Sequence, residues 1–385
     1  MTTDRLGLYL HIPYCVRKCN YCDFCSLPSG CAGVPDEYVM RLCEEIESYV
    51  GKAGVPLDTV YFGGGTPSLL QPPQMREIFA AIRKAFVVSE GAEITFEANP
   101  GTLTKEKAEA FYELGFNRVS IGLQSIHEKE MKKLGRIHTY EQFLSCFRTL
   151  REVGFENISV DLMYGIPYQT KESFEQSVRT LVALSPEHIS AYGLMIEEGT
   201  PFFKEENLPL PSLDDECDMY ALATEILGAN GYEHYEISNY AKAGKRSRHN
   251  CLYWHLGEYI GVGAAAHSFF GGKRFFNAES VEDYLAATPS ETVVDEESDL
   301  SYEYAMLGLR LKEGISLDEY ETRFARSFTE GKEELIDRLV KEGLMTLDGT
   351  RIALTERGFY LARDICPKGA FAKIILISLQ KCAVF

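Results

Sequence analysis

The chain has 385 residues, enough for two or three domains at roughly 100 to 200 residues each. Its composition, 45% hydrophobic and 25% charged residues, is typical of a packed globular protein. A formal net charge of -18 argues against nucleic acid as a partner, because binding to a phosphate backbone depends on neutralisation by Lys and Arg.

The beginning of the chain, MTTDRLGLYLHIP, lacks the basic start and the long apolar stretch of a signal peptide. No apolar run reaches the roughly 20 residues that a membrane span needs. We therefore expect a cytoplasmic protein. Because the cytoplasm is reducing, the eleven cysteines are expected to be metal ligands or buried thiols rather than disulfides.

The first predicted strand, LGLYLHI, leads into HIPYCVRKCNYCDFC, in which Cys15, Cys19 and Cys22 have the spacing C-x3-C-x2-C. Three thiolates on one loop leave one iron of a four-iron cluster without a protein ligand. Cys25 could instead complete a tetrahedral zinc site. The spacing favours the cluster, and His11 is expected to orient the loop through hydrogen bonds.

Five further runs predict buried strands: LDTVYFGG, EITFEAN, RVSIGLQ, ISVDLMYG and HISAYGLM. Helices lie between them, for example those expected to begin at Asp36 and near Ser173. Six strands that alternate with helices predict a parallel α/β sheet, either an open doubly wound sheet or a partial barrel. Both architectures place the functional site at the carboxyl ends of the strands.

Polar and glycine residues follow these strands. The glycine-rich turn FGGGTPS, residues 62–68, lets backbone amides approach a charged ligand. The other polar candidates at or just past strand ends are Glu97, Gln124, Arg136 and Asp161. Their positions predict that they line one shared site.

The last third of the chain changes character. Helical segments precede LMTLDGTRIALTERG, in which Asp348 and Gly349 form a hairpin-turn dipeptide. Helices followed by a two-stranded wing resemble a winged-helix module, but its acidic composition indicates a structural or docking domain. The apolar tail, residues 367–385, is expected to pack on the body, with weak membrane association as the alternative.

The segment YLHIPYCVRKCNYCDF resembles the cluster loop of radical S-adenosylmethionine (SAM) proteins, within the subgroup of oxygen-independent coproporphyrinogen III dehydrogenase and its heme-chaperone relatives. The resemblance extends over roughly residues 6–360. It implies a radical SAM partial (β/α)6 barrel over residues 1–235 and a connecting segment over 236–295. It also implies a smaller winged-helix-like α+β domain over residues 296–366.

The same resemblance implies the cofactor ligands. Cys15, Cys19 and Cys22 would bind a 4Fe-4S cluster, SAM would chelate the fourth iron, and Cys25 would stay outside. The residues implied as SAM contacts are Tyr9, Tyr21, Gly64, Gly65, Thr66, Glu97, Gln124, Arg136 and Asp161. An aromatic residue in a strand is more often a core residue, so the role of Tyr9 has that alternative.

Three features favour the heme-chaperone branch over the dehydrogenase. Only fourteen residues precede Cys15, whereas the dehydrogenase has a long N-terminal extension. Phe24 stands where the dehydrogenase has its extra cysteine. Residues 249–254, HNCLYW, match a signature associated with heme binding, which implies His249 as a heme ligand. The alternative is a hydrogen-bonded histidine, with Trp254 in the core.

The function expected from the sequence is therefore that of a heme chaperone that binds a 4Fe-4S cluster, SAM and heme. The expected partners are heme, acceptor hemoproteins such as respiratory enzymes, and an electron donor for the cluster. A homodimer and weak membrane association are left open. The alternative function is an enzyme, the oxygen-independent coproporphyrinogen III dehydrogenase of porphyrin biosynthesis.

Overall fold

A computed structural model describes residues 5–362, apart from residue 31, residues 289–291 and residues 296–298. The predicted apolar tail, residues 367–385, lies outside the described residues. No helix among the described residues combines the length and the apolar character needed to cross a bilayer.

The strands of the described residues alternate with helices along the first half of the chain. They are β1 Leu6–Ile12, β2 Tyr14–Cys15, β3 Leu27–Pro28, β4 Leu57–Gly64, β5 Val88–Ala98, β6 Arg118–Gln124, β7 Ile158–Tyr164, β8 His188–Gly193, β9 Glu233–Glu236, β10 Asn239–Ala241, β11 Tyr259–Val262, β12 His267–Phe270, β13 Lys273–Phe276, β14 Val293–Asp295, β15 Ile315–Ser316, β16 Met345–Leu347 and β17 Arg351–Leu354.

The helices are α1 Asp36–Glu47, α2 Pro72–Ala85, α3 Lys105–Leu114, α4 Glu128–Leu134, α5 Tyr140–Val153, α6 Lys171–Leu184, α7 Leu213–Ala229, α8 Arg248–Trp254, α9 Val281–Ala286, α10 Leu300–Gly308, α11 Leu317–Phe324, α12 Glu333–Lys341 and α13 Glu356–Ala362. Helix α1 begins at the predicted Asp36. Helix α6 begins two residues before Ser173, because the Thr170 hydroxyl accepts the Ser173 N–H at 3.2 Å and caps the helix.

Twelve of the strands form one sheet in the order β14-β13-β12-β11-β1-β4-β5-β6-β7-β8-β10-β9. All six strands predicted from apolar runs are present as β1 and β4 to β8, and each pairs in parallel with the next. Every residue of β1 is buried, as expected for a strand covered on both faces.

The predicted connecting segment that carries HNCLYW, residues 236–295, contributes strands to both edges of this sheet. Strand β11 adds a seventh parallel strand beside β1, and β12 to β14 continue antiparallel from it. Strand β10 pairs antiparallel with β8 at the opposite edge. This segment therefore completes the barrel-like sheet instead of only linking domains.

The C-terminal domain, described over residues 299–362, has four helices and the small antiparallel sheet β15-β17-β16. The turn at Asp348 and Gly349 joins β16 to β17 as predicted. This domain contacts the edge of the large sheet through backbone hydrogen bonds, Ile237 N–H to Arg310 O at 3.1 Å and Lys312 N–H to Tyr235 O at 3.0 Å.

A buried carboxylate on α1 holds the added strands against the barrel. Glu45 accepts hydrogen bonds from the Tyr284 hydroxyl at 2.6 Å, the Asn277 amide at 2.7 Å and the Gly263 N–H at 3.0 Å. Tyr38, also on α1, donates to His11 O and accepts from the Ala264 N–H. Helix α1 thus ties the end of β1 to the segment that follows β11.

We expect Glu45→Ala to lower the free energy of unfolding by at least about 2 kcal/mol, because three buried donors lose their acceptor. Urea denaturation of the purified protein measures the change. Glu44→Ala is the matched control, since Glu44 is the exposed neighbour on the same helix and its loss should change stability by less than about 0.5 kcal/mol. Equal losses in the two variants would contradict this account.

Candidate functional site at the carboxyl ends of the strands

The cysteine loop leaves the sheet at the end of β1 and is closed by protein contacts at its base. Strands β2 and β3 pair in parallel, so that Cys15 lies opposite Pro28. The Leu27 N–H donates to Pro13 O and the Ser29 N–H to Cys15 O, both at 2.7 Å. The loop that carries Cys19 and Cys22 therefore has fixed ends.

Polar side chains approach two of the three predicted ligand sulfurs. The Thr66 hydroxyl donates to Cys15 Sγ at 3.4 Å, and Arg136 Nη1 donates to Cys19 Sγ at 3.7 Å. Burial raises the pKa of Cys15, and it raises the pKa of Cys22 to about 12. These thiols therefore keep their protons at neutral pH unless a bound metal supplies positive charge.

The fourth cysteine of the loop has different contacts. Cys25 Sγ donates to the carbonyl oxygen of Glu279 at 3.1 Å, and its own carbonyl accepts from His11 Nε2 at 2.8 Å. The predicted orienting hydrogen bond of His11 is thus present. Burial lowers the pKa of His11 to about 4, so a neutral imidazole makes this bond.

In the described ranges, no three His, Cys, Asp or Glu side chains converge as a single metal ion would require.

The glycine-rich turn at the end of β4 fits against the cysteine loop only because it lacks side chains. Gly64 has a φ of +107°, and a Cβ there would lie 2.5 Å from a ring carbon of His11. A Cβ on Gly65 would lie 2.7 Å from Tyr14 O. The close approach brings the Gly64 N–H to Glu97 Oε2 at 3.2 Å.

Asn99 connects the glycine-rich turn to Arg136, although it was not among the site residues predicted from the sequence. Its amide donates to the Thr66 hydroxyl at 2.8 Å, and its carbonyl accepts from Arg136 Nη2 at 2.5 Å. A continuous chain of polar contacts therefore runs from Cys15 through Thr66, Asn99 and Arg136 to Cys19. In the sequence, only the position of Asn99 in the turn ANP, immediately after a buried strand, could have indicated that it belongs to the site.

Glu97 lies at the centre of the next group. One carboxylate oxygen accepts the Tyr61 hydroxyl at 2.9 Å, and the other accepts the Gly64 N–H. Burial raises the pKa of Glu97 to about 7, and the nearby Asp161 adds to the increase. Glu97 therefore exchanges a proton near neutral pH.

Gln124 and Asp161 are the last of the predicted site residues along this edge of the sheet. Gln124 has a φ of 73°, lies at a register irregularity of β6, and accepts the Tyr192 hydroxyl at 3.0 Å. Asp161 accepts the Ser120 hydroxyl at 3.1 Å, and burial raises the pKa of Asp161. Tyr192 is a second site residue that the sequence reasoning missed, because a tyrosine within an apolar strand usually belongs to the core.

Tyr21 covers an apolar patch beside these residues. Its ring packs against a small buried cluster that includes Leu134, Met163 and Phe202. The backbone next to it is tied down, because the Asn20 N–H donates to Leu134 O at 2.9 Å and the Phe202 N–H donates to Asn20 O at 3.1 Å. The aromatic ring therefore has a fixed position beside the cysteines.

Most of the predicted residues come together at this edge and keep partial exposure. The partly exposed members are Cys19, Tyr21, Cys22, Gly64, Gly65, Glu97, Arg136 and Asp161. Cys15, Thr66 and Gln124 lie among them but are buried. Tyr9 lies below them in the interior, where its hydroxyl contacts His11 Nδ1 at 3.0 Å and its ring faces Tyr61.

His249 is the predicted residue that lies elsewhere. It is 1% exposed, and it contacts Thr59, near the amino end of β4, rather than the carboxyl end where the cysteines lie. Burial lowers the pKa of His249 to about 3. His249 therefore does not lie among the residues at the carboxyl ends of the strands, although its ring stacks on those of Tyr61 and Tyr9.

Known proteins share both parts of this chain. Residues 9–181 match the Radical SAM superfamily, and residues 296–361 match the HemN C-terminal domain. The chain is 37% identical to the heme chaperone HemW of Lactococcus lactis, covering 94% of this chain and 96% of the relative. It is 35% identical to HemW of Bacillus subtilis, covering 94% and 98%, and 35% identical to HemW of Escherichia coli, covering 92% and 95%.

A solved structure has a similar fold. Coproporphyrinogen III oxidase (HemN) from Escherichia coli, described as a radical SAM enzyme, matches with a TM-score of 0.81. The match covers 94% of this chain and 89% of that chain at 23% sequence identity. At this identity the likeness shows the fold alone.

The raised pKa of Glu97 predicts a pH-dependent stability in the protein without cofactors. The folded protein binds this proton more tightly than the unfolded chain does, so stability should fall as pH rises from about 4.5 to about 7 and then level off. We expect the wild type to lose up to about 3 kcal/mol relative to Glu97→Gln over this window. Urea denaturation at several pH values measures the difference.

The control for this experiment is Glu90→Gln, which removes a carboxylate from an exposed position of the same strand. Its stability should follow that of the wild type across the pH range. Parallel stability curves for the wild type and Glu97→Gln would show that Glu97 does not titrate in this window.

Proposed function

Since the chain belongs to the HemW family of heme chaperones, we propose that it binds a 4Fe-4S cluster, SAM and heme and delivers heme to hemoproteins such as respiratory enzymes. The observation that carries this proposal is the arrangement of Cys15, Cys19 and Cys22 on one closed loop at the carboxyl ends of the strands. The site residues of the radical SAM superfamily are expected at this place in the fold.

The residues present fit the cluster. Three cysteines are a soft donor set suited to iron, and Thr66 and Arg136 donate hydrogen bonds to two of the sulfurs. Hydrogen bonds to cluster sulfurs adjust the reduction potential and hold the ligands in place. Cys25 directs its thiol to Glu279 instead, which supports three ligands and one open iron.

The surrounding residues fit SAM. Gly64, Gly65 and Thr66 form the turn beside the cysteines, where the methionyl ammonium of SAM would lie. Arg136 offers a guanidinium to the methionyl carboxylate, and Glu97 offers an acceptor to the ammonium. A cluster bound here would supply the electron for reductive cleavage of the sulfonium if SAM is cleaved, and the sequence leaves open whether SAM is cleaved or only bound.

The remaining contacts would position the adenosine. Gln124 and Asp161 supply polar groups at the next two strand ends, where ribose hydroxyls can be recognised. Tyr21 presents an anchored ring beside them for the adenine. Tyr9 supports this group from below through His11 and Tyr61.

Heme, its acceptor hemoproteins and an electron donor for the cluster complete the proposal. The role of His249 as the iron ligand stays a prediction. The homodimer and the weak membrane association that the sequence left open also stay predictions.

The dehydrogenase is not favoured as an alternative. The curated relatives with 31–37% identity over most of the chain carry the name heme chaperone HemW. HemN from Escherichia coli shares the fold at lower identity, which does not transfer its activity.

The cysteine assignment predicts a specific pattern of cluster loading. After anaerobic reconstitution, the wild type and Cys25→Ala should each hold about four iron atoms per chain. Cys15→Ala, Cys19→Ala and Cys22→Ala should each lose most of this iron, because the loop then lacks one of its three ligands. Iron and sulfide analysis with visible absorption measures the outcome. Loss of the cluster in Cys25→Ala would overturn the three-ligand assignment.

Heme titration and a porphyrinogen assay on the same reconstituted sample test the function. We expect heme to bind and to pass to an apo-hemoprotein, which visible spectroscopy follows. With SAM and a reductant, coproporphyrinogen III should show no decarboxylation above a Cys15→Ala control. Decarboxylated product without heme transfer would reverse the proposal in favour of the dehydrogenase.

A further inference from the structure

Helix α8, which carries HNCLYW, directs the side chain of His249 into the protein. His249 Nδ1 is hydrogen bonded to the Thr59 hydroxyl at 2.7 Å, and Nε2 is hydrogen bonded to the Tyr253 hydroxyl at 2.5 Å. The ring is 1% exposed. Both nitrogens that could bind iron are therefore occupied by partners within the protein.

The imidazole ring also contacts a series of side chains that leads to the candidate site. It stacks on the Tyr61 ring with centroids 5.0 Å apart and an interplanar angle of 20°. The Tyr61 hydroxyl donates to Glu97, and Glu97 accepts the N–H of Gly64 in the glycine-rich turn. A single aromatic ring therefore separates His249 from a residue proposed to contact SAM.

The start of α8 is attached to the same two strands that carry the turn and Glu97. Glu93 on β5 accepts the backbone N–H groups of Arg248 and His249, both at 3.1 Å. Thr59 and Glu93 are paired residues of the β4–β5 ladder. A displacement of α8 would thus act on β4 and β5 together.

The other end of α8 is attached to the C-terminal domain. The Arg310 guanidinium lies 4.3 Å from the centre of the Trp254 ring and also pairs with the buried Glu236 at 3.2 Å. Arg323 donates to the carbonyl oxygens of His255 and Leu256, both at 3.2 Å. The helix therefore makes contact with the barrel interior at one end and with the accessory domain at the other.

We propose that α8 is a joint between the C-terminal domain and the candidate site, and that His249 is a positioning residue for Glu97 through Tyr61. In this role His249 does not bind the heme iron. The signature HNCLYW then reads as a structural link: His249 and Tyr253 face the barrel interior, and Trp254 faces the C-terminal domain. The part of this inference that concerns SAM affinity rests on the proposed function.

Hydrogen exchange of the cofactor-free protein tests the positioning directly. His249→Ala should speed amide exchange about tenfold in peptides that cover residues 60–68 and also in those that cover residues 300–324. Tyr61→Phe keeps the ring and removes only the hydroxyl, so it should speed exchange at residues 60–68 alone. Tyr112→Phe, an exposed tyrosine on α3, is the control. Unchanged exchange at residues 60–68 in His249→Ala would overturn the proposal.

Ligand binding to the reconstituted protein separates the two roles of the histidine. His249→Phe keeps an aromatic ring against Tyr61 but cannot bind iron. Positioning predicts a heme spectrum like that of the wild type in this variant, and SAM affinity within about threefold of the wild type. An altered heme spectrum with unchanged SAM affinity would establish iron ligation and reject the proposal.

A double-mutant cycle tests the path through Tyr61. His249→Ala and Tyr61→Phe should each weaken SAM binding about tenfold, and the double variant should be little worse than either, because both act through Glu97. Additive effects would overturn the path. If the wild type bound no SAM, the proposed function would fail, while the exchange experiment would still decide the role of His249.

Discussion

The parallel pairing of six strands is the constraint on which the site depends. Ile12 pairs with Gly64, Ala98 with Ile121, and Gly122 with Asp161, so each strand ends close to its neighbour. Residues separated by more than a hundred positions in sequence therefore meet at one edge. The apolar residues within each strand form the buried core, whereas the residue at the end of each strand can be polar. Fold and site thus result from the same hydrogen-bonding register.

The interior of the barrel holds buried polar side chains, and those at the centre of the site have partners within the protein. His11, Glu97 and His249 each make at least two hydrogen bonds. A buried polar group without a partner destabilises the fold, whereas a satisfied network gives the side chains one defined arrangement. The network also crosses the barrel from end to end. Hydrogen bonds and ring stacking there connect the amino ends of the strands with the carboxyl ends.

The sequence predicted the fold well because the evidence for it is local. The six parallel strands are near-continuous apolar runs, and the radical SAM fold with its C-terminal accessory domain is confirmed. Strand β11 was missed because it has four residues and pairs with β1 across about 250 positions. Asn99 and Tyr192 were missed because a single polar contact has no periodic signal. The HNCLYW motif led to the prediction of a heme ligand, and only the orientation of α8 shows that His249 points into the protein.

The short pairing of β2 with β3 has a consequence for how metal can enter. The protein itself closes the cysteine loop at Cys15 and Pro28, and the Asn20 contacts anchor its middle to α4. Folding of the protein therefore already compensates for the chain entropy that is lost when this loop forms. Metal–sulfur bonds do not have to compensate for it. A cluster that binds this loop would therefore meet cysteines whose flanking backbone is already held in place, so binding would order little additional chain.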